Sequence, residues 1–357
     1  MLVRRLRLVN VRSHRRLEVE LGPGLTVLAG PNGAGKTTVL EAAALVLQGS
    51  LLRPGTVRDL INRGEDFLRV EIDLEEAGVM VTAAAAFSRG GERRLTASGA
   101  VLDDSSRWRE AVPVRTFVPD DLRLIKGSPR RRREYLDALA GRRDTAYPGT
   151  LRSYEEALTQ RNVLLRGSRA GDCGHFAPWE KILAQTGLAV SWERAATLAS
   201  FVASFQRTYA DLTGESLDSL RLVYRTNVAD LDEKGYQDRL AQMRGADRQR
   251  TYTHLGPHRD DLRLLRRGLD VRDCASQGEQ RAAVLALVLA EWRHMRGSPH
   301  EPLLLLDDVM SELDGHRRRA LVDIVHQGGQ AVITTTDLRH FSSEELERVA
   351  VIELSTD

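Results

Sequence analysis

Leu25-Thr26-Val27-Leu28-Ala29-Gly30-Pro31-Asn32-Gly33-Ala34-Gly35-Lys36-Thr37-Thr38 fits the pattern G-x-x-x-x-G-K-[ST]. It lies between an apolar run that reads as a buried strand and Val39-Leu40-Glu41-Ala42-Ala43-Ala44-Leu45, which reads as the opening of a helix. This strand, loop and helix order is the context a phosphate-binding loop requires, whereas a Gly-rich turn without a ligand requires none of it. The glycines let successive backbone N–H groups turn inward around a phosphate, and the helix N-terminus adds partial positive charge. Lys36 is expected to reach the β- and γ-phosphates, and the Thr37 hydroxyl to ligate Mg²⁺. Gly30, Pro31, Asn32, Gly33, Ala34, Gly35, Lys36, Thr37 and Thr38 are therefore the expected nucleotide contacts.

Composition bounds what such a loop can serve. The chain has 357 residues, 42% of them hydrophobic, enough for one large core or two modest ones. No apolar run approaches the roughly 20 residues that span a bilayer, and Met1-Leu2-Val3-Arg4-Arg5-Leu6-Arg7 alternates like a strand instead of forming a signal-peptide core. A cytoplasmic location and no membrane partner are the expectation. Cys173 and Cys274 lie far apart, and Cys173 with His175 does not complete a tetrahedral zinc site. Net charge is only +2, so charge alone does not announce a nucleic-acid partner. Of the 52 basic residues only Lys36, Lys126, Lys181 and Lys234 are lysine. Guanidinium suits bidentate phosphate contacts, and a coding bias toward arginine explains the same excess.

Alternation of Leu6 and Leu8 with Arg5 and Arg7, and of Leu17, Val19 and Leu21 with Glu18 and Glu20, predicts an antiparallel strand pair. Residues 69–74 and 78–81 continue the strand-rich part, a β-subdomain beside the nucleotide. From about Ser128 the period changes. Leu151, Tyr154, Leu158, Asn162 and Leu165 recur at helical spacing, and a second amphipathic stretch from Trp179 to Leu212 would reach about 50 Å if Gly187 does not break it. The turn cluster at 167–172 would join the two as an antiparallel hairpin. After Thr251 strand signals return. The expected divisions are 1–122, a nucleotide lobe carrying the loop; 123–250, a helical lobe; and 251–357, which completes the nucleotide lobe.

Leu303-Leu304-Leu305-Leu306-Asp307-Asp308 reads as a buried strand delivering two carboxylates at its C-terminal end, where an open α/β sheet places its ligands. It reads as the partner strand of the phosphate loop, with Asp307 toward Mg²⁺ and Asp308 as base for an attacking water. Ser276-Gln277-Gly278-Glu279-Gln280 opens an apolar helix, and Ser311-Glu312-Leu313-Asp314 follows the two aspartates. Taken together these segments resemble the signature motif and D-loop of ABC-type ATPases. In that family the signature serine and glycine of one protomer cap the γ-phosphate held by the other. The resemblance therefore implies an ATP-driven homodimer, with Ser276 to Gln280 acting in trans, Ser311 and Asp314 in the D-loop, and Lys36, Asp308 and Ser276 as the catalytic set.

The stretch from Gly30 to Ser276 is longer than in a transporter ATPase and too short for the coiled coil of an SMC protein. Leu6 to His14, Pro119 to Pro129, Arg132-Arg133-Glu134-Tyr135-Leu136-Asp137 and Gly256-Pro257-His258-Arg259-Asp260-Asp261-Leu262 resemble, in order, segments of the RecF family of bacterial repair proteins. That resemblance implies an α/β ABC-type ATPase head with a β-rich nucleotide lobe, an inserted helical lobe and no long coiled coil. It also implies ATP and Mg²⁺ as cofactors, and a role in replication, recombination and repair. By resemblance alone the partners are DNA, as duplex or single/double-strand junction, then RecR and RecO, with RecA loaded at gaps. Many ABC relatives have glutamate at the position of Asp308 and histidine at that of Thr336, so the departures point to a slow, switch-type ATPase. No glutamine stands where a Q-loop would be sought, and Asp120 or Asp121 is the nearest polar group.

Arg130-Arg131-Arg132-Arg133 follows Ser128-Pro129, a helix start, where four cations oppose the macrodipole. DNA phosphate or acidic neighbours such as Asp120, Asp121 and Asp137 would compensate equally well. His258, Arg259, Asp260 and Asp261 have the residue types of a metal or catalytic cluster, with structural salt bridging as the plainer reading. Arg12 and His14 fit either an adenine contact or a dimer groove.

Overall fold

The computed structural model describes residues 1–102, 113–167, 175–295 and 301–355. Cys173 and most of the turn expected at 167–172 lie outside them. In chain order the strands are β1 (Leu2–Val11), β2 (His14–Glu20), β3 (Leu25–Ala29), β4 (Phe67–Glu76), β5 (Val79–Ser88), β6 (Arg93–Ala97), β7 (Ala100–Val101), β8 (Val114–Phe117), β9 (Leu220–Arg225), β10 (Asp261–Arg266), β11 (Leu269–Asp270), β12 (Leu303–Leu306), β13 (Ala331–Thr335) and β14 (Ala350–Glu353). The longer helices are α1 (Lys36–Leu47), α2 (Pro129–Arg143), α3 (Tyr147–Gly167), α4 (Ala177–Thr213), α5 (Glu233–Arg250), α6 (Gln277–Met295) and α7 (Gly315–His326). The chain forms two compact units.

The first unit comprises Met1–Asp121, Arg207–Leu217 and Ser276–Asp357. It holds an antiparallel sheet in the order β2-β1-β4-β5-β6-β7 and a parallel sheet in the order β14-β3-β13-β12-β8. The alternation of β1 and β2 is realised as expected, with Leu6 opposite Val19 and Leu8 opposite Leu17. The parallel strands β3, β12 and β13 are buried at every residue, which is why they read as continuous apolar runs. Helix α1 is apolar nearly all round, because one core takes it together with residues of both sheets, from Leu6, Leu8 and Val70 on one side to Leu303 and Val332 on the other. One expectation is corrected here. β12 is not the neighbour of β3, because β13 lies between them and pairs parallel with both.

The second unit comprises Leu122–Gln206 and Asp218–Ala275. Helix α4 passes Gly187 without a break. A Cβ at Gly187 would approach Tyr236 to 2.9 Å and Tyr154 to 3.1 Å, so glycine is the residue that lets the aromatic rings close on the helix. Arg161 of α3 bonds Glu180 of α4, and Tyr147 at the start of α3 bonds Arg194, so the two helices run antiparallel. The expected boundary at 250 moves to Ala275. The reason is β10, whose residues Asp261 to Arg266 pair antiparallel with Arg225 to Leu220 of β9 and tie the GPHRDDL segment into the helical unit.

This unit buries charge in satisfied networks. Arg161 is fully buried and donates to Glu180, Asp247, Thr253 and the Leu240 carbonyl. Arg194 bonds both carboxylate oxygens of Asp137 at 2.7 and 3.0 Å and the Pro257 carbonyl at 2.8 Å. His258 bonds the Thr253 carbonyl through Nε2 at 2.9 Å and Tyr154 through Nδ1 at 2.6 Å. A carbonyl only accepts, so Nε2 carries the proton and Nδ1 accepts from the Tyr154 hydroxyl. Burial pushes the His258 pKa down to about 4, keeping the ring neutral. Both ring nitrogens of His258 are thus satisfied within this unit.

Gly256 has φ +133°, and a Cβ there would collide with the hydroxyls of Tyr236 and Tyr154. Gly256→Ala is expected to lower unfolding free energy by about 2–4 kcal/mol, through backbone strain plus displacement of both tyrosines. Urea denaturation checks this; a variant within about 0.5 kcal/mol of the parent would contradict the packing described.

Candidate phosphate-binding site

The loop between β3 and α1 is shaped by Gly35, which precedes the helix at φ +77°; a Cβ at that position would run into the His14 imidazole from the start of β2. Lys36 opens α1, and its Nζ donates to the carbonyls of Gly30 at 2.7 Å and Pro31 at 2.8 Å. The ammonium is therefore folded over its own loop. Burial lowers the Lys36 pKa, and the charges of Asp308 and Asp307 oppose that shift.

Asp307 follows β12 and is 2% exposed. Its Oδ1 accepts from the hydroxyls of Thr37 at 2.8 Å and Thr334 at 2.9 Å, and its Oδ2 accepts from Arg53 at 3.1 Å. The intervening β13 is what brings Thr334 into this set. Asp308 takes the left-handed conformation at φ +48°, held by its N–H donating to Thr334 Oγ1 at 2.9 Å. Its Oδ1 is buried without a hydrogen-bond partner, an acceptor ready for a donor. Asn32, Lys36, Thr38, Pro119, Asp308 and Thr336 are among the residues lining a cleft of about 480 Å³ over this set. The donors toward a cation are hard oxygens, the Thr37 hydroxyl and the Asp307 carboxylate, which fit Mg²⁺ when phosphate oxygens complete its sphere. Among the described residues no group of three or more His, Cys, Asp and Glu side chains forms a metal site of its own.

The expected signature residues stand elsewhere on the first unit. Ser276 and Glu279 form a capping box at α6: the Ser276 N–H donates to Glu279 Oε2 at 2.7 Å and the Glu279 N–H to Ser276 Oγ at 3.3 Å. The Ser276 hydroxyl hydrogen is left for another acceptor. Arg281 pairs with Glu312, and Arg317 donates to the Gly278 carbonyl at 3.3 Å, so the segment Ser276 to Gln280 and the D-loop share one patch. Ser311 Oγ donates to the Asp308 carbonyl at 3.1 Å, and Asp314 caps α7 through the Arg317 N–H at 2.9 Å. None of Ser276, Gln277, Gly278, Glu279 and Gln280 lines the cleft.

Four residues that matter here carry no motif. Arg53, Glu41 and Thr334 become visible only once the chain is folded. Glu41, buried in α1, pairs with Arg12 at 2.9 Å; burial raises its pKa against the pull of Arg12. Arg12 thereby lines the cleft with its guanidinium anchored. His340, four residues past Thr336, shares a 3.1 Å hydrogen bond with Thr335 and feels the charge of Asp308.

The arginine quartet is largely consumed by structure. Arg132 is buried and grips both oxygens of Asp261 at 2.6 and 3.1 Å; Arg133 donates to the Asp260 carbonyl at 2.9 Å. Arg130 is exposed and pairs with Glu134. Asp261 and Glu134 are thus two of the acids that compensate the quartet, and the charges of Asp260, Asp261 and Asp137 act on Arg133.

Residues 2–355 match the family model described as RecF/RecN/SMC N terminal domain. The DNA replication and repair protein RecF of Moorella thermoacetica is 36% identical over 359 residues, covering 99% of this chain and 95% of that protein. The RecF of Heliobacterium modesticaldum is 35% identical, covering 98% and 96%. The chain belongs to the RecF family. Among solved structures it is similar to the recombination mediator protein RecF-ATP in the RecFOR pathway, with TM-score 0.79, 27% identity and 95% and 93% of the two chains covered. An SMC head bound to the C-winged helix domain of ScpA, at TM-score 0.55 and 17% identity, shares the fold of this RecF-family head. The ABC-type α/β head is thus the observed fold class. Among its described residues no helix is long and apolar enough to cross a membrane.

Neither Asp120 nor Asp121 lines the cleft. Asp121 accepts from the Val118 N–H at 2.9 Å, and burial pushes its pKa up to about 6. A raised carboxyl pKa means the folded state binds more protons than the unfolded one, so stability falls as pH rises from about 4 to 6. Asp121→Asn keeps the hydrogen bond and removes the charge. It is expected to stabilise the protein at pH 7.5 by an amount on the order of 2 kcal/mol and to flatten that slope. Denaturation across pH 4 to 8 checks this, and an equal or lower stability at pH 7.5 would refute it.

Proposed function

We propose that this RecF-family chain is a slow ATPase switch: ATP closes a homodimer, the closed dimer holds DNA, and hydrolysis to ADP and phosphate releases it. The reading is carried by one observation. Lys36 and the Thr37–Asp307 pair meet in one cleft, while the patch expected to face a γ-phosphate lies on the same unit outside it. A single chain holds both halves of a site and does not join them. Two copies related by a twofold axis would join them twice. The similarity to the RecF-ATP structure supports ATP as the ligand.

Lys36 would exchange its two loop carbonyls for β- and γ-phosphate oxygens, and the loop N–H groups would hold the β-phosphate. Thr37 and Asp307 would hold Mg²⁺, which neutralises phosphate charge when bound. Asp308, with its buried free acceptor, would take a proton from the attacking water. Ser276 and the α6 N-terminus of the partner would face the γ-phosphate. Thr336 donates less effectively than an imidazole there, consistent with slow turnover. The RecFOR pathway to which the similar RecF structures belong supports RecR and RecO as partners; loading of RecA at gaps and stalled forks rests on the family resemblance alone. DNA, as duplex or junction, would be held by the dimer, and Arg130 is the exposed member of the quartet available to it.

Ser276→Arg puts a bulky cation where the partner's γ-phosphate would lie and leaves the protomer's own loop intact. Monomer ATP binding is expected to survive, and dimerisation, hydrolysis and ATP-stimulated DNA binding to fail together. Mixing it with Lys36→Ala restores one competent site per heterodimer. Sedimentation with ATP reads the outcome; full dimerisation of Ser276→Arg alone would reduce the serine to a helix cap.

Asp308→Asn keeps size and polarity without a base. Turnover is expected to drop at least about a hundredfold while ATP-dependent DNA affinity persists. Unchanged hydrolysis would move the base to another residue.

A further inference from the structure

Asp307 is a carboxylate whose side chain is 3% exposed, and among the described residues the cation hydrogen-bonded to it is Arg53, from the loop after α1. One guanidinium nitrogen, Nη2, reaches both Asp307 Oδ2 at 3.1 Å and Thr37 Oγ1 at 3.4 Å. These are the two groups whose oxygens suit a divalent cation. The partners differ in freedom: Arg53 is about half exposed, with a side chain 46% accessible, whereas Asp307 is fixed by two threonine hydroxyls. The pair therefore breaks by movement of Arg53 alone.

We propose that Arg53 is a tethered competitor for the divalent-cation position on Thr37 and Asp307, so that it must leave before a metal ion can settle there. The inference rests on the reading that these two residues hold Mg²⁺. A guanidinium and a dication cannot share the same oxygens, because each uses the same lone pairs and their charges repel. Bare Mg²⁺ must displace Arg53 while gaining only two protein ligands. Mg²⁺ arriving with a polyphosphate brings further oxygens for itself and, on the rim of the same cleft, an anionic acceptor for the displaced guanidinium. Arg53 thus suppresses the response to free cation and reserves the site for the metal–nucleotide pair. While it stays in place it also keeps the buried Asp307 charge compensated.

The test uses the full chain without nucleotide. Bound Mn²⁺ is counted by the loss of its free-ion electron paramagnetic resonance signal, and Mg²⁺ is then used to displace it. Arg53→Met, which keeps the apolar stem and removes the charge, is expected to lower the half-saturating Mn²⁺ concentration about tenfold. Arg53→Lys is expected to fall between Met and the parent. Asp307→Asn is expected to abolish the site in either background. If Asp307→Asn abolishes binding but Arg53→Met binds like the parent, or more weakly, Arg53 only tethers its loop and the proposal fails while the metal reading stands. If Asp307→Asn leaves binding unchanged in both backgrounds, the metal reading fails and the proposal with it. Should Arg53→Met not fold, Arg53→Gln is measured in the same way and judged by the same two outcomes.

Discussion

A single buried carboxylate organises the nucleotide unit. Asp307 sits at the end of an all-leucine strand, and the low polarity that makes Leu303 to Leu306 a stable core element also makes an unpaired charge beside them costly. The chain meets that cost with the hydroxyl of Thr37 from the phosphate loop, that of Thr334 from β13 and the guanidinium of Arg53. Each of these comes from a different segment. The requirement to satisfy Asp307 thus fixes the loop, β12 and β13 in one register at the C-terminal edge of the parallel sheet. Asp308, turned by its left-handed backbone and pinned through Thr334, inherits its direction from the same node.

The helical unit solves a comparable problem with different chemistry. Arg161, Arg194 and Arg132 are all nearly or fully buried, and each is met by carboxylates and carbonyls in multiple hydrogen bonds. Buried pairs of this kind add little net stability compared with an apolar core, but removing one partner strands the other charge. They act as register pins, fixing α3 against α4 and the GPHRDDL segment against both. The arginine habit of this chain suits such work, since a planar fork satisfies two acceptors at once.

How much of this was legible before the structure divides along physical lines. The phosphate loop, the all-leucine strand and the β1–β2 pair were readable because local sequence carries them: glycine spacing, uninterrupted apolarity and strict alternation. The unbroken α4 was readable except for the role of Gly187, which serves a close approach of two tyrosines that no local pattern reports. The insertion of β13 between β3 and β12 was not readable, because parallel strand order depends on long-range crossovers. The extension of the helical unit to Ala275 was hidden for the same reason, since β9 and β10 pair across the whole of α5. At the site, Lys36, Thr37 and Asp307 were expected and are found together. Arg53 was missed because it belongs to no motif, and the sequence leaves Arg132 open between DNA and acidic neighbours because a run of four arginines does not reveal which of them faces inward.

The central claim is that the cleft over Lys36 and Asp307 is an ATP site whose affinity depends on the Lys36 ammonium leaving its loop carbonyls for the polyphosphate. Titration calorimetry of ATP with Mg²⁺ into the parent chain and into Lys36→Ala tests it most directly. One nucleotide per chain is expected for the parent, with at least about a hundredfold weaker binding for the variant. Equal affinity in the two proteins would contradict it.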